Sequence, residues 1–180
     1  VNRPSLRQLL HGFGPHPRRQ DGIAIRAIRP DDRERLLRAF GGLDQRSIYQ
    51  RFFFAKRELT DEELRQLTEC DGIRVVVLVA TVGSGEEERI VGLGQFARRG
   101  IGADIAFAVE EDFQGRHIAS RMLRRLIRIA REQGIEQFEA DVLADNGPML
   151  AVFRHAGLPL VKREGDGVVH VTLLLAAPRQ

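Results

Sequence analysis

The chain has no tryptophan, a single tyrosine (Tyr49) and a single cysteine (Cys70) among its 180 residues. One thiol excludes an internal disulfide and a cysteine-ligated zinc site, and makes a reducing cytoplasm the default expectation. No apolar run approaches the ~20 residues that a membrane-spanning helix needs. The longest, Val75–Val82 and Val168–Ala177, have the length of strands. The first residues are rich in Arg and Pro and do not read as a secretory signal. Lysine is scarce, so the basic charge is almost all arginine, and the net charge is only +3. A surplus that small does not mark a nucleic-acid binder. His155 and His170 have no partner at metal-ligand spacing, and no metal is implied.

What is present fits one domain. Residues 1–21 carry three prolines and no sustained period, and read as an extension or linker. From there to residue 176, helix and strand signals follow one another over short connections, and 177–180 form a tail. Alternation gives a strand over Ile23–Ile28, ended by Pro30. Asp31 and Glu34 resemble a capping box for a helix reaching Phe40. Asp44–Lys56 reads as a second helix, and Thr60 with Glu63 starts a third that ends near Cys70. Ile73–Val82, Arg89–Ala97 and Ala103–Val109 read as strands. Arg116–Gln133 then has an apolar stripe at helical spacing, closed by Gly134. Phe138–Leu143 is a strand, and Asn146 or Asp145 caps a short helix that Gly157 closes. Leu160–Arg163 and Val168–Leu175 form a hairpin around Gly165-Asp166-Gly167. The order β-α-α-α-β-β-β-α-β-α-β-β predicts an α/β (α+β) fold, a mixed sheet with helices on both faces.

The chemistry concentrates between Ala103 and Ser120. With a period of two, Ile105, Phe107 and Val109 share a core face, while Asp104, Ala106, Ala108 and Glu110 share the other. That second face has carboxylates at its ends and only methyl groups between them, so a ligand could lie against it. The same alternation is also that of a strand with one solvated face. Gln114-Gly115-Arg116-His117-Ile118-Ala119 follows as a glycine turn onto a helix N-terminus, where unpaired N–H groups and the helix dipole favour a phosphate. The turn is neither a P-loop nor a dinucleotide fingerprint, and alone it is a weak signal. An anion seat beside a carboxylate suggests group transfer from a phosphorylated carrier.

Together these elements resemble the cofactor-binding core of GNAT-type N-acetyltransferases. The matching parts are the strand, the Gln-x-x-x-x-Ala turn, the long helix, the next strand, and Asn146…Phe153…Ala156-Gly157-Leu158. Upstream, Ile25-Arg26-Ala27-Ile28-Arg29-Pro30-Asp31-Asp32 and Ser47-Ile48-Tyr49-Gln50-Arg51-Phe52-Phe53 resemble the bacterial Pat-type protein lysine acetyltransferases. The resemblance covers residues 22–176. It implies a mostly antiparallel sheet of about seven strands, with acetyl-CoA as co-substrate and no metal. It implies that the main chain of Phe107 and Val109 bonds the pantetheine arm, with Val109 N–H as an oxyanion donor. The amides of Gln114, Gly115, Arg116, His117, Ile118, Ala119 and Ser120 would cradle the pyrophosphate, and Asn146 would reach pantetheine from the far side. Asp104 stands at the glutamate general base. The implied acceptor is an amine, such as a lysine of an acyl-CoA synthetase or of another protein; no membrane partner is implied.

Three departures stand out. Asp104 is one methylene shorter than glutamate, which favours a water relay. His117 replaces a glycine, and either touches a phosphate or faces solvent. Phe153 replaces the tyrosine many relatives use as general acid, and Tyr49 reads as a packing residue. Three rival functions remain: acetylation of a small amine or antibiotic, a non-catalytic acyl-CoA-sensing or interaction domain, and nucleic-acid binding by the basic helix. Arg116 and Arg154 are alternative partners for the 3′-phosphate of the coenzyme. Arg121, Arg124, Arg125, Arg128 and Arg131 form a basic stripe that reads as a solvated helix face, and Cys70 reads as a packed or surface thiol.

Overall fold

Seven strands, β1 (Ala24–Ala27), β2 (Val75–Val82), β3 (Arg89–Arg99), β4 (Gly102–Val109), β5 (Gln137–Leu143), β6 (Leu160–Gly165) and β7 (Val168–Leu174), make one sheet. Their order is β1-β2-β3-β4-β5-β7-β6, antiparallel throughout except for β4 beside β5. Among the described residues five helices join them: α1 (Arg33–Gly41), α2 (Gln45–Phe52), α3 (Asp61–Thr68), α4 (Ile118–Glu132) and α5 (Gly147–Arg154). The computed structural model describes residues 22–52 and 57–175, and of these not the side chains of residues 49, 50 and 52. The expected extension at 1–21, the tail at 177–180, the second helix beyond Phe52 and the role of the Tyr49 side chain lie outside the described residues.

Local chemistry explains most of the element boundaries. Thr60 Oγ1 accepts from Glu63 N–H at 3.2 Å while Thr60 N–H donates to Glu63 Oε2 at 2.8 Å, the reciprocal cap that starts α3. Asp166 and Gly167, at φ 52° and 76°, turn the β6–β7 hairpin, as an Asp-Gly pair does in a type I′ turn. The expected Asp31–Glu34 cap is corrected. A 3₁₀ turn over Pro30–Asp32 precedes α1, and the residue that matters is Asp32, which accepts from Arg29 N–H at 2.8 Å.

Asp32 belongs to a buried ionic cluster. Arg26 grips it with both terminal nitrogens, at 2.6 and 2.7 Å, and also donates to Glu88 at 2.8 and 3.2 Å. The Asp32 side chain is fully buried. The cluster ties β1 to the start of α1 and to the residue preceding β3.

Two apolar cores lie on opposite faces of the sheet. One holds Met122, Leu126, Phe96, Phe107 and Phe138 under α4 and α5; the other holds Leu36, Phe40, Leu64, Val77 and Val79 under α1 and α3. Helix α4 sits low on β3 because Gly94 has no side chain there. A Cβ at that position would stand 2.9 Å from the Phe107 ring and 3.3 Å from Met122 Cβ. The basic stripe of α4 is not merely a solvated face. Arg121 donates to Ile23 C=O at 3.1 Å, Arg125 donates to Ile25 C=O, and Arg131 donates to Leu175 C=O at 2.8 Å. The first two guanidiniums cover carbonyls at the β1 edge, which would otherwise stay open to strand addition.

Candidate functional site

The ladder between β4 and β5 ends after three pairs, Gly102–Gln137, Ala103–Phe138 and Asp104–Glu139. Beyond them β4 stays with β3 and β5 stays with β7, so the two strands diverge from an apex at Asp104 and Glu139. Register decides which main-chain groups face the opening. Glu110 N–H donates to Val91 C=O at 3.0 Å, so residues 110, 108 and 106 exchange their bonds with β3. Ile105, Phe107 and Val109 therefore turn their N–H and C=O groups into the gap. They offer a strand edge to an extended ligand. The gap opens into a cleft of about 820 Å³, whose walls include Phe107, Val109, Ala119, Asn146 and Phe153.

The mouth of the cleft is the N-terminus of α4. This helix starts at Ile118, two residues later than its sequence suggests, because Gly115 and His117 both take left-handed backbone at φ 73° and 58°. The first intrahelical bond is Arg121 N–H to His117 C=O at 3.0 Å, which leaves the amides of Ile118, Ala119 and Ser120 as orphan donors of the first turn. For glycine the left-handed conformation is free of strain, and for histidine it is not. His117→Gly is expected to raise Tm by about 2 °C, the net of roughly 1–2 kcal/mol of relieved strain and about 0.5–1 kcal/mol of added chain entropy, read in a thermal melt.

The remaining expected residues divide clearly. Gln114 spends its N–H on Glu111 C=O at 3.0 Å and its side-chain amide on Val109 C=O at 3.2 Å, so it braces the end of β4. Arg116 is exposed and stacks over the Phe113 ring at 4.8 Å, outside the cleft wall. Asn146 caps α5 by accepting from Met149 N–H at 3.2 Å, which leaves its amide NH2 for a ligand. Phe153 is buried and meets Phe107 edge-on, centroids 6.3 Å apart. Asp104 does not line the cleft; about half exposed, it sits at the apex with Arg99 at 3.4 Å. Cys70 is half-buried, and burial pushes its thiol up, which suits a packed thiol rather than a nucleophile.

Several residues at the site were not foreseen. Glu139 pairs with Asp104 across the strands, and Arg99 reaches it at 3.6 Å, so one guanidinium bridges two carboxylates at the apex. The N-terminus of α2 spans the cleft: Ser47 Oγ donates to Glu111 beside β4, and Arg46 pairs with Asp145 beyond β5 at 3.7 Å. Ser47 N–H also holds the Asp44 carboxyl below its usual range. Only strand register could have announced Glu139, and no local pattern encodes a pairing between residues 35 positions apart.

Comparison with known proteins agrees with this geometry. The model of the acetyltransferase (GNAT) family matches residues 43–158. The acetyltransferase Pat of Mycolicibacterium smegmatis is 34% identical over 148 residues, which cover 81% of this chain. The matched region spans 43% of that relative's own length. The GNAT domain of S. lividans PAT superposes with a TM-score of 0.76 at 31% identity, covering 84% of this chain and 90% of that one. A Salmonella typhimurium acetyltransferase solved with its cofactor acetyl-CoA shares the fold, with a TM-score of 0.64 at 19% identity over 88% of this chain and 99% of that one. With the family model spanning more than half of its length, the chain belongs to the acetyltransferase (GNAT) family.

Proposed function

We propose that the protein transfers the acetyl group of acetyl-CoA to a primary amine, the side chain of a protein lysine, by direct attack in a ternary complex. The carrying observation is the divergence of β4 and β5, with main-chain donors along one arm, orphan amides at the mouth and a carboxylate at the apex. The coenzyme diphosphate sits at the amides of Ile118 to Ser120, and the pantetheine arm adds to the edge of β4. The 34% identity to an acetyltransferase called Pat supports the lysine reading.

An ammonium has no lone pair, so it must first lose a proton. Asp104, directly or through water, takes it; the amine nitrogen attacks the thioester carbonyl, and a C–N bond forms. The tetrahedral oxyanion is held by a main-chain N–H of β4. Its collapse breaks the C–S bond, the nitrogen gives up its second proton, and the coenzyme thiolate takes one from water because Phe153 has no hydroxyl to supply it.

Geometry limits how these roles combine. Asp104 and Val109 stand roughly 17 Å apart along an extended strand. One carbonyl carbon cannot be in direct reach of both. Phe107 N–H, which also faces the gap and lies two residues nearer the apex, is the oxyanion donor consistent with a short water relay to Asp104.

Phe153 also motivates a second reading, a domain that binds acyl-CoA without turnover. Calorimetry with acetyl-CoA, followed by incubation with labelled acetyl-CoA and a purified acyl-CoA synthetase, separates the two. Mass spectrometry should find acetylated lysines dependent on the protein. Coenzyme binding with no modified amine would favour the sensing domain, and no binding would end both readings.

A further inference from the structure

The two edges of the sheet are treated differently. At β1, arginines of α4 cover the outward carbonyls of Ile23 and Ile25. At the opposite edge β6 bonds β7 alone, and Val161 to Gly165 are exposed. Register identifies the free main-chain groups there. Leu174 N–H donates to Pro159 C=O at 2.9 Å, so residues 161, 163 and 165 exchange their bonds with β7. Leu160, Lys162 and Glu164 therefore turn their N–H and C=O groups outward, where no strand meets them among the described residues.

The side chains along this edge are unpaired as well. Lys162, Arg163 and Glu164 are exposed and form no ion pair among the described residues, and Val161 is 47% exposed. Charge on an edge strand normally repels a second strand. Here Lys162 and Glu164 carry opposite signs two residues apart on one face, and that spacing is self-complementary. A two-fold axis at Arg163 sets each Lys162 opposite the partner's Glu164, and both residues already face outward for hydrogen-bonded pairing. An axis at Lys162 would oppose two lysines. An axis at Val161 would set Lys162 opposite Leu160 and Glu164 opposite Leu158.

We propose that β6 is a self-association edge, where a second copy of this chain adds its own β6 antiparallel about a two-fold axis at Arg163. The sheet then runs continuously through both copies. Each Lys162 exchanges main-chain bonds with the partner's Glu164, and their side chains pair above the same face. Arg163 meets its own copy on the other face, which weakens the contact. One strand per partner is also small beside the roughly 800 Å² per partner of a stable complex, so the dimer forms only as concentration rises. No residue of β6 lines the coenzyme cleft, and both clefts stay open.

The test is sedimentation equilibrium of the full chain over a wide range of concentration. The parent is expected to pass from monomer to dimer. Lys162→Glu and Glu164→Lys should each associate at least about ten-fold more weakly, because both cross-strand ion pairs become like-charge pairs. Mixed in equal amounts, these two variants should associate with each other, since every pair between them joins a carboxylate to an ammonium. Arg163→Thr should tighten the dimer several-fold. Lys162→Pro deletes an N–H that β7 does not use, and should abolish pairing while the chain stays folded. Acetyl-CoA affinity should be the same in all of them. A parent that stays monomeric at every concentration, or a dimer that neither charge reversal weakens, would overturn the proposal. Reversals that weaken the dimer without rescuing one another in the mixture would overturn the pairing of Lys162 with Glu164.

Discussion

Asp104→Asn should lower kcat by roughly 10²–10⁴-fold while acetyl-CoA affinity, measured by calorimetry, stays the same. The asparagine is isosteric and stays at the apex, but it cannot accept the proton that the attacking ammonium must lose. The proposed coenzyme contacts lie elsewhere, on the main chain of β4 and on the first turn of α4, so on that reading binding has no reason to change. The Arg99 contact is lost as well, but Arg99 is exposed and keeps Glu139, so its part in stability is small. The companion variant is Asp104→Glu. It adds the methylene by which Asp104 differs from the glutamate that the resemblance to Pat-type enzymes implies at this position, and is expected to retain or exceed the parental rate. If the asparagine variant turned over normally, Asp104 would have no part in the proton transfer, and Glu139, its cross-strand neighbour, would be the next residue to test.

Asp32→Ala should cost about 3–5 kcal/mol of stability, which at roughly 2–4 °C per kcal/mol lowers Tm by about 10 °C or more. The loss arises because Arg26 stays buried with only Glu88 to balance it. Burial alone would push Asp32 up, but hydrogen bonds and charge from Arg26, with Arg29 N–H and Arg35, outweigh it and hold the carboxyl below its ordinary value. Glu88 is held down first by its hydrogen bonds from Arg26, against a smaller effect of burial. Both folded-state pKa values are thus depressed. Their contribution is complete above the unfolded values of about 3.9 and 4.3, and it is lost as pH falls through the lower folded ones. Urea melts from pH 7 downward should show the parent weakening below about pH 4, and Asp32→Ala with a visibly shallower acid dependence. Parallel acid slopes in the two proteins would mean that the cluster contributes nothing to folding. The coenzyme cleft lies apart from these residues, so acetyl-CoA affinity of the folded variant should not move.

The alternation of Ile105, Phe107 and Val109 places them on the core side as read, and the Thr60–Glu63 cap and the Asp166-Gly167 turn form where the residues call for them. Errors cluster where a local rule meets a distant partner. Asp31 looked like a helix cap until the chain brought Arg26 to Asp32, and a buried ion pair outweighs a surface cap. The α4 arginines looked solvent-bound until the helix came to rest over β1, where carbonyls of Ile23 and Ile25 are the acceptors in reach. The glycine turn was legible, but not that His117 would share its left-handed backbone, since nothing local distinguishes that histidine from one on a helix.

By itself, then, the sequence determined the succession of strands and helices, the glycine turn and the carboxylate before it, because caps, turns and alternation depend on backbone sterics within a few residues. Tertiary structure alone decided that β4 and β5 part at Asp104, which amides face the opening, and that Glu139 and Arg99 join the apex. Those features arise where strands distant along the chain stop sharing hydrogen bonds, and the unshared groups at that boundary are what a coenzyme and an amine can use.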